Sequence, residues 1–185
     1  MDQVEWYYEQ ASRVADQAND IGVKAQILLH RSFHSIEINP PDYESGRAIS
    51  NSAIEIASKY NMKDILLVSL NNRAVCEQEL GLQEIAITTY LEAYQLALET
   101  NNQMWIARVS ENVGKLSHRL GNRSQAIQYY RIALDVAQNL DYVELISKIQ
   151  NLIREENDTA YLAKIILKNM SMYSELVHFI LESYL

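Results

Sequence analysis

The sequence predicts an all-α protein, a solenoid of about nine antiparallel helices, on the strength of three observations. The first is a repeat. Gly81, Ala86, Tyr90, Ala93 and Ala97 recur as Gly121, Ala126, Tyr130, Ala133 and Ala137, each 40 residues later. A fixed period of that size marks units that bury their apolar faces only against their neighbours. The second is the spacing inside a unit: an Ala, an aromatic four residues on and an Ala three after that share one helical face. The small side chains let a neighbouring helix approach, and the tyrosine fills the gap beside them. The third is the scarcity of breakers, with 2 Pro and 5 Gly in 185 residues that are 48% hydrophobic.

Taken in order, residues 1–19 read as a second helix without its first, because Tyr8, Ala11 and Ala15 match Tyr130, Ala133 and Ala137 at a constant offset of 122. An apolar helix face cannot stand alone, so upstream sequence, the fold's far end or another chain must cover it. Residues 20–38 form a first helix that stops at Asn39-Pro40-Pro41-Asp42, since proline lacks a donor and disfavours helix in the residue before it. Residues 42–60 match the second helix, with Gly46, Ser50, Ala53 and Ala57 lying 40 before Ala86, Tyr90, Ala93 and Ala97. This unit holds two extra residues, most simply at the double proline. That placement makes Ser32 the small mid-helix residue matching Ala74 and Gly114. A glycine inside a helix costs about 1 kcal/mol relative to alanine, so Gly114 calls for a close helix crossing.

Residues 62–80 with 83–100, and 102–120 with 123–139, make the next two pairs. Gly81 and Gly121 sit at turns where the chain needs positive φ. Asn101-Asn102 and Asn139-Leu140-Asp141 are polar breaks that stop and cap helices. Residues 142–155 begin another first helix, but with no small residue at its crossing. Residues 158–169 and 172–184 read as closing helices. The last is apolar around much of its girth (Tyr173, Leu176, Val177, Phe179, Ile180, Leu181, Tyr184), as if it packs on a second chain or on sequence beyond these residues. The expected organisation is one domain, 1–185: the lone helix 1–19, pairs at 20–60, 61–100 and 101–140, and a degenerate unit at 141–185.

A small residue in the first helix, Gly at the turn and Ala–aromatic–Ala on the second helix together resemble the tetratricopeptide repeat (TPR). The match covers residues 61–140, in the family's longer form of about 40 residues found in bacterial peptide-sensing regulators and signalling scaffolds. The family's tryptophan position holds Leu70 and Ser110, and its tyrosine position Glu77 and Ser117. The resemblance implies a right-handed superhelix whose first helices line a concave groove. It also implies that the residue two before the small position faces that groove, where an asparagine holds the backbone of an extended peptide. Those positions are His30, Asn72 and Asn112, and an amide suits the task because it offers donor and acceptor together. By the same placement Asn71, Val75, Gln78, Arg108, Glu111, Lys115, His118 and Arg119 flank them. The Arg108–Lys115–Arg119 face is basic on an acidic protein and would suit a carboxylate. The implied function is a non-enzymatic, regulatory module that binds a peptide or partner segment. Replacing Asn72 and Asn112 by Ala should then abolish binding with little change in folding stability. The alternative is self-association through residues 1–19 and 172–185.

A net charge of −8 and a pI near 5.0 argue against duplex nucleic acid or an anionic membrane as the partner. The lone cysteine, Cys76, rules out an internal disulfide framework and reads as a buried thiol. There is no export signal and no apolar run of the ~20 residues that a span needs, so the expected location is cytoplasmic. Arg31 and Arg73 occupy equivalent sites and should pair with Glu on the following helix. His30, His34 and Glu37 have the spacing of metal ligands, but no glutamate follows the first histidine, and no metal or cofactor is expected. Neither a glycine-rich phosphate loop nor a nucleophile elbow occurs, so no enzyme activity is expected.

Overall fold

A computed structural model describes residues 3–158 and residue 166, and every regular element among them is an α-helix. The elements are α1 (Gln3–Ala18), α2 (Ile21–Glu37), α3 (Tyr43–Lys59), α4 (Lys63–Glu79), α5 (Gln83–Glu99), α6 (Gln103–Arg119) and α7 (Arg123–Asn139), followed by α8 over residues 143–158. From α2 to α7 each helix has 17 residues, roughly 25 Å of rise. Helices α3 to α8 begin at residues 43, 63, 83, 103, 123 and 143, so the 40-residue period is two equal helix-and-turn steps. The α2–α3 link, residues 38–42, is two residues longer than each of the three-residue links that follow it, as the double proline foretold. The closing helix expected at 172–184 lies outside the described residues, as does that expected at 158–169 apart from residues 158 and 166, of which residue 158 continues α8.

The same turn recurs between helices. The N–H of Gly81 donates to the Gln78 carbonyl at 3.2 Å and that of Leu82 to Glu77 at 2.8 Å, a Schellman closure that leaves the residue past the helix at positive φ. Gly81 (φ 79°) and Gly121 (φ 75°) take that position inside the pairs, while Asn19, Asn61, Asn101 and Asp141 take it between pairs at φ 50–53°. Asn and Asp tolerate this region better than other side chains. Asp20, Asp42, Asn102 and Asn122 then cap the next helix, each accepting the backbone N–H three residues on.

Each helix packs on the next along the chain, and α2 also meets α4. That pattern is an α-solenoid. One core cluster joins Leu67, Leu70 and Ala74 of α4 with Tyr90 and Ala93 of α5 and Val109, Val113 and Leu116 of α6. A second joins Ala107 of α6 and the repeat residues of α7 with Leu145 and Ile149 of α8. Gly114 is the crossing its position foretold: a Cβ there would lie 2.5 Å from the Tyr130 ring. Cys76 is fully buried in α4. Burial, helped by Glu77, pushes its thiol up to about 12, which makes it a poor nucleophile at neutral pH.

One expectation needs correction. Arg73 does reach the following helix, with its Nη2 3.3 Å from Glu92 of α5, but Arg31 pairs backwards, with Glu5 of α1. The reason is the partner's identity: α3 carries Ser52 where α5 carries Glu92. Glu77 also joins the Arg73 network, unforeseen. Only 2% exposed, it accepts from the Thr89 hydroxyl at 2.7 Å and lies near the guanidinium nitrogens of Arg47 and Arg73. A single carboxylate thus ties α3, α4 and α5 together.

Helix α1 occupies a second-helix position against α2 and buries Ala15. Its Ala11 is exposed, whereas the equivalent Ala53, Ala93 and Ala133 are fully buried. Within the described residues no helix precedes α1 to cover that side. No helix among them is long and apolar enough to cross a membrane.

Candidate functional site

Because the period is constant, residues 40 apart in the first helices fall side by side on one face. Four first helices contribute to a single groove of about 360 Å³: Phe33 from α2, Val68, Asn71 and Asn72 from α4, Trp105, Arg108, Glu111 and Asn112 from α6, and Lys148 from α8. Val68, Arg108 and Lys148 are one register row, Asn71 and Glu111 a second, Asn72 and Asn112 a third. The groove is therefore a product of the repeat itself.

Its floor is braced by amides. The Asn72 side chain donates to the Ser32 hydroxyl at 3.0 Å, and the Asn112 side chain donates to Asn71 Oδ1 at 2.9 Å. These bonds run across the stack, from α4 to α2 and from α6 to α4. Asn72 is 4% exposed and Asn71 9%, so the expectation that Asn72 could be removed at little cost to stability is corrected. Neighbouring first helices come close enough for their polar side chains to find each other, and removing Asn72 would take the donor away from the fully buried Ser32 hydroxyl. Asn112, only half-buried, keeps the more open side chain.

Charge is concentrated at the α6–α8 end. Glu111, 5% exposed, forms ion pairs with Lys115 one turn on and with Lys148 of α8, the latter at 2.7 Å. Burial works to raise its carboxyl, but the two ammonium groups outweigh burial and hold it below the ordinary carboxylate range. Burial also pushes the Lys115 ammonium down, against the pull of Glu111. Arg108 is exposed, with its guanidinium 6.0 Å from the Trp105 ring centre and its Nη2 donating to the Tyr142 hydroxyl at 3.4 Å. A guanidinium held beside an aromatic ring keeps N–H donors for an anion.

Of the residues singled out in the sequence, Asn71, Asn72, Arg108, Glu111 and Asn112 meet in this groove, and Lys115 stands behind it against Glu111. His30, Gln78 and Arg119 do not. His30 is exposed on α2 and lines no part of the groove. Gln78 and Arg119 both reach Glu79, at 2.8 and 3.0 Å, at the far ends of α4 and α6. Their hydrogen bonds, Gln78's first, hold the Glu79 carboxyl low. Sequence reasoning missed Phe33, Val68, Trp105 and Lys148. Two of them carried a signal, since Val68 and Lys148 lie one period before and after Arg108. His34 has its ring 6.0 Å from that of Tyr8. No group of three His, Cys, Asp or Glu side chains among the described residues is placed to hold a metal ion.

No protein-family model matches the chain, and no curated protein matches it in sequence. Among solved structures it is similar to the crystal structure of BtubC (BKLC) from P. vanneervenii. The identity is 17% and the TM-score 0.51, over 89% of this chain and 88% of that one. At that identity the likeness is one of fold alone, and it spans nearly the whole of both chains.

Proposed function

We propose that this chain is a non-enzymatic repeat module of the TPR type that holds an extended peptide, or a partner's extended segment, in the groove of its first helices. The observation that carries the reading is the groove itself. Four successive first helices supply its walls, α4, α6 and α8 in register, combining apolar surface (Phe33, Val68, Trp105) with amides and charged groups able to orient a polar backbone. A regulatory role follows from the resemblance to peptide-sensing regulators.

The reading is tested by panning a random library of 12-residue peptides on the intact chain. Trp105 is one of two tryptophans, so in a Trp6→Phe variant its fluorescence reports groove occupancy. Selected peptides should change that emission saturably and lose about tenfold or more in affinity when Asn112 becomes Ala and Phe33 becomes Ala together, taking about 1–2 kcal/mol for the lost hydrogen bond and apolar contact. Peptides that bind this double variant unchanged, or a library that yields none, would sink the reading.

A second reading, self-association, is favoured by α1. Tyr7 is 58% exposed and Val14 64%, on the side where Ala11 lies open. A monomer in sedimentation velocity at high micromolar concentration would count against it.

A further inference from the structure

We infer that the outer face of α1 is a two-fold docking surface for a second copy of this chain, with the two α1 helices packed antiparallel. The inference rests on the self-association reading, narrows it to one helix and gives it a register. Tyr7, Ala11, Val14 and Ala18 follow one another at spacings of 4, 3 and 4, and all of them are exposed. Those spacings are the a and d positions of a heptad seam, along which another helix packs. Trp6, 47% exposed, extends the apolar surface, its ring meeting that of Tyr7 edge-on at 5.1 Å.

Charge narrows the choice of occupant. The charged residues of α1 are Glu5, Glu9, Arg13 and Asp16, and the 3.6-residue turn puts all of them on the side opposite the seam. Helix α2 engages two of them: Glu5 pairs with Arg31, and Asp16 with Lys24 at 2.7 Å. A charged partner segment therefore finds no opposite charge on the seam. A second copy, despite its own net charge of −8, brings one uncharged strip against another.

The row beside the seam favours self-pairing. Gln3, Gln10 and Gln17 recur at seven-residue intervals along the g edge of the heptad. An amide carries donor and acceptor together, so it matches an identical amide, whereas a charged residue there would select the opposite charge. Antiparallel packing about a two-fold axis near Gln10 brings Gln10 to Gln10, and Gln3 to Gln17 of the second copy. In the same register Tyr7 lies over the small Ala11 of the second copy, and the symmetry repeats the contact in reverse. The seam is one 16-residue helix long, about 24 Å. That length gives a reversible contact at the small end of the range, below about 1,200 Å² of buried surface. Helix α1 contributes no residue to the first-helix groove, so both grooves stay open in the pair.

The test is sedimentation velocity on the full chain across micromolar concentrations, with Trp105→Phe leaving Trp6 as the sole tryptophan. The expected result is a reversible dimer whose formation shifts Trp6 emission to the blue. Gln10→Lys and Gln10→Glu each set like charges against each other at the two-fold axis, and each weakens the dimer roughly tenfold. An equimolar mixture of the two variants regains the affinity as a heterodimer. That rescue shows that both variants fold, and a purely structural role for Gln10 would not produce it. Should the Gln10 variants fail to fold, Val14→Glu, on a side chain already exposed, carries the same expectation of a weakened dimer. A dimer that these substitutions leave unchanged, or that the Gln10 mixture does not restore, overturns the α1 pairing and places self-association elsewhere in the chain. A monomer at high micromolar concentration overturns both. If the Trp6 emission of that monomer moves to the red in Phe179→Glu, residues 172–184 of the same chain are the occupant instead.

Discussion

At the scale of single residues, the molecule's most constrained points are a missing side chain and a buried amide. Gly114 leaves room for the Tyr130 ring, and a methyl group in its place would collide with it at 2.5 Å. Alanine is the better helix former by about 1 kcal/mol, so on an open helix the exchange would stabilise. Here overpacking wins: Gly114→Ala should destabilise by about 1–3 kcal/mol, read from the midpoint of urea unfolding. A gain in stability would mean that Tyr130 moves freely aside. Asn72 gives the converse case. Its bond to Ser32 joins two first helices, so Asn72→Ala should cost about 1–3 kcal/mol of folding stability, with the half-buried Asn112→Ala costing less. An Asn72→Ala midpoint equal to that of the wild type would show that the Asn72–Ser32 bond contributes nothing. The glycine was readable in the sequence, because a helix-breaking residue at a regular spacing needs a steric reason. The role of Asn72 was not, because its partner is 40 residues away and only helix stacking brings the two together.

At the scale of elements, the helices are set by their ends. Helices α3, α6 and α7 each run from a capping Asp or Asn through 17 helical residues to a left-handed residue, whereas α4 and α5 start at Met62 and Leu82 without a side-chain cap and α2 ends at an extended Ile38. Asp42 makes the dependence measurable. The backbone N–H of Ser45, donating to its carboxylate at 3.0 Å, holds that carboxyl below its ordinary value. A group lowered on folding adds stability above its unfolded pKa of about 4, and loses it as pH falls through the lower folded value. Acid unfolding of the wild type should therefore steepen below about pH 4. Asp42→Asn, which still caps but cannot titrate, should show a shallower dependence in the same range. Identical pH profiles for the two proteins would refute the link. Glu79 and Glu111, also held low, contribute with the same sign and remain in the variant, so the difference isolates Asp42. These elements were legible almost residue by residue, since caps, turns and helix periodicity are local interactions.

At the scale of the whole molecule, the stack presents two surfaces that its own described helices leave open: the groove and the outer side of α1. They make separable predictions. Val14→Glu on α1 should leave monomer stability within about 0.5 kcal/mol, because the side chain is already exposed. The same substitution should abolish any dimer seen in sedimentation velocity, and a dimer that survives it would place self-association elsewhere. Peptide affinity should be unchanged, since Val14 lies on α1, which takes no part in the groove.

The 40-residue period was decisive on its own terms. It established the all-helical stack, the turn glycines, the tight crossing at Gly114 and the open side of α1, because each depends on side chains a few residues apart or on a constant offset. The tertiary structure alone decided the rest. It turned the groove asparagines into cross-braces, sent Arg31 back to Glu5, placed Glu77 among three helices and gathered Lys148 with Arg108 and Glu111 in one pocket. Those outcomes depend on which polar partner a neighbouring helix happens to carry at contact distance. Periodicity says which residues share a face, but long-range packing decides which of them touch.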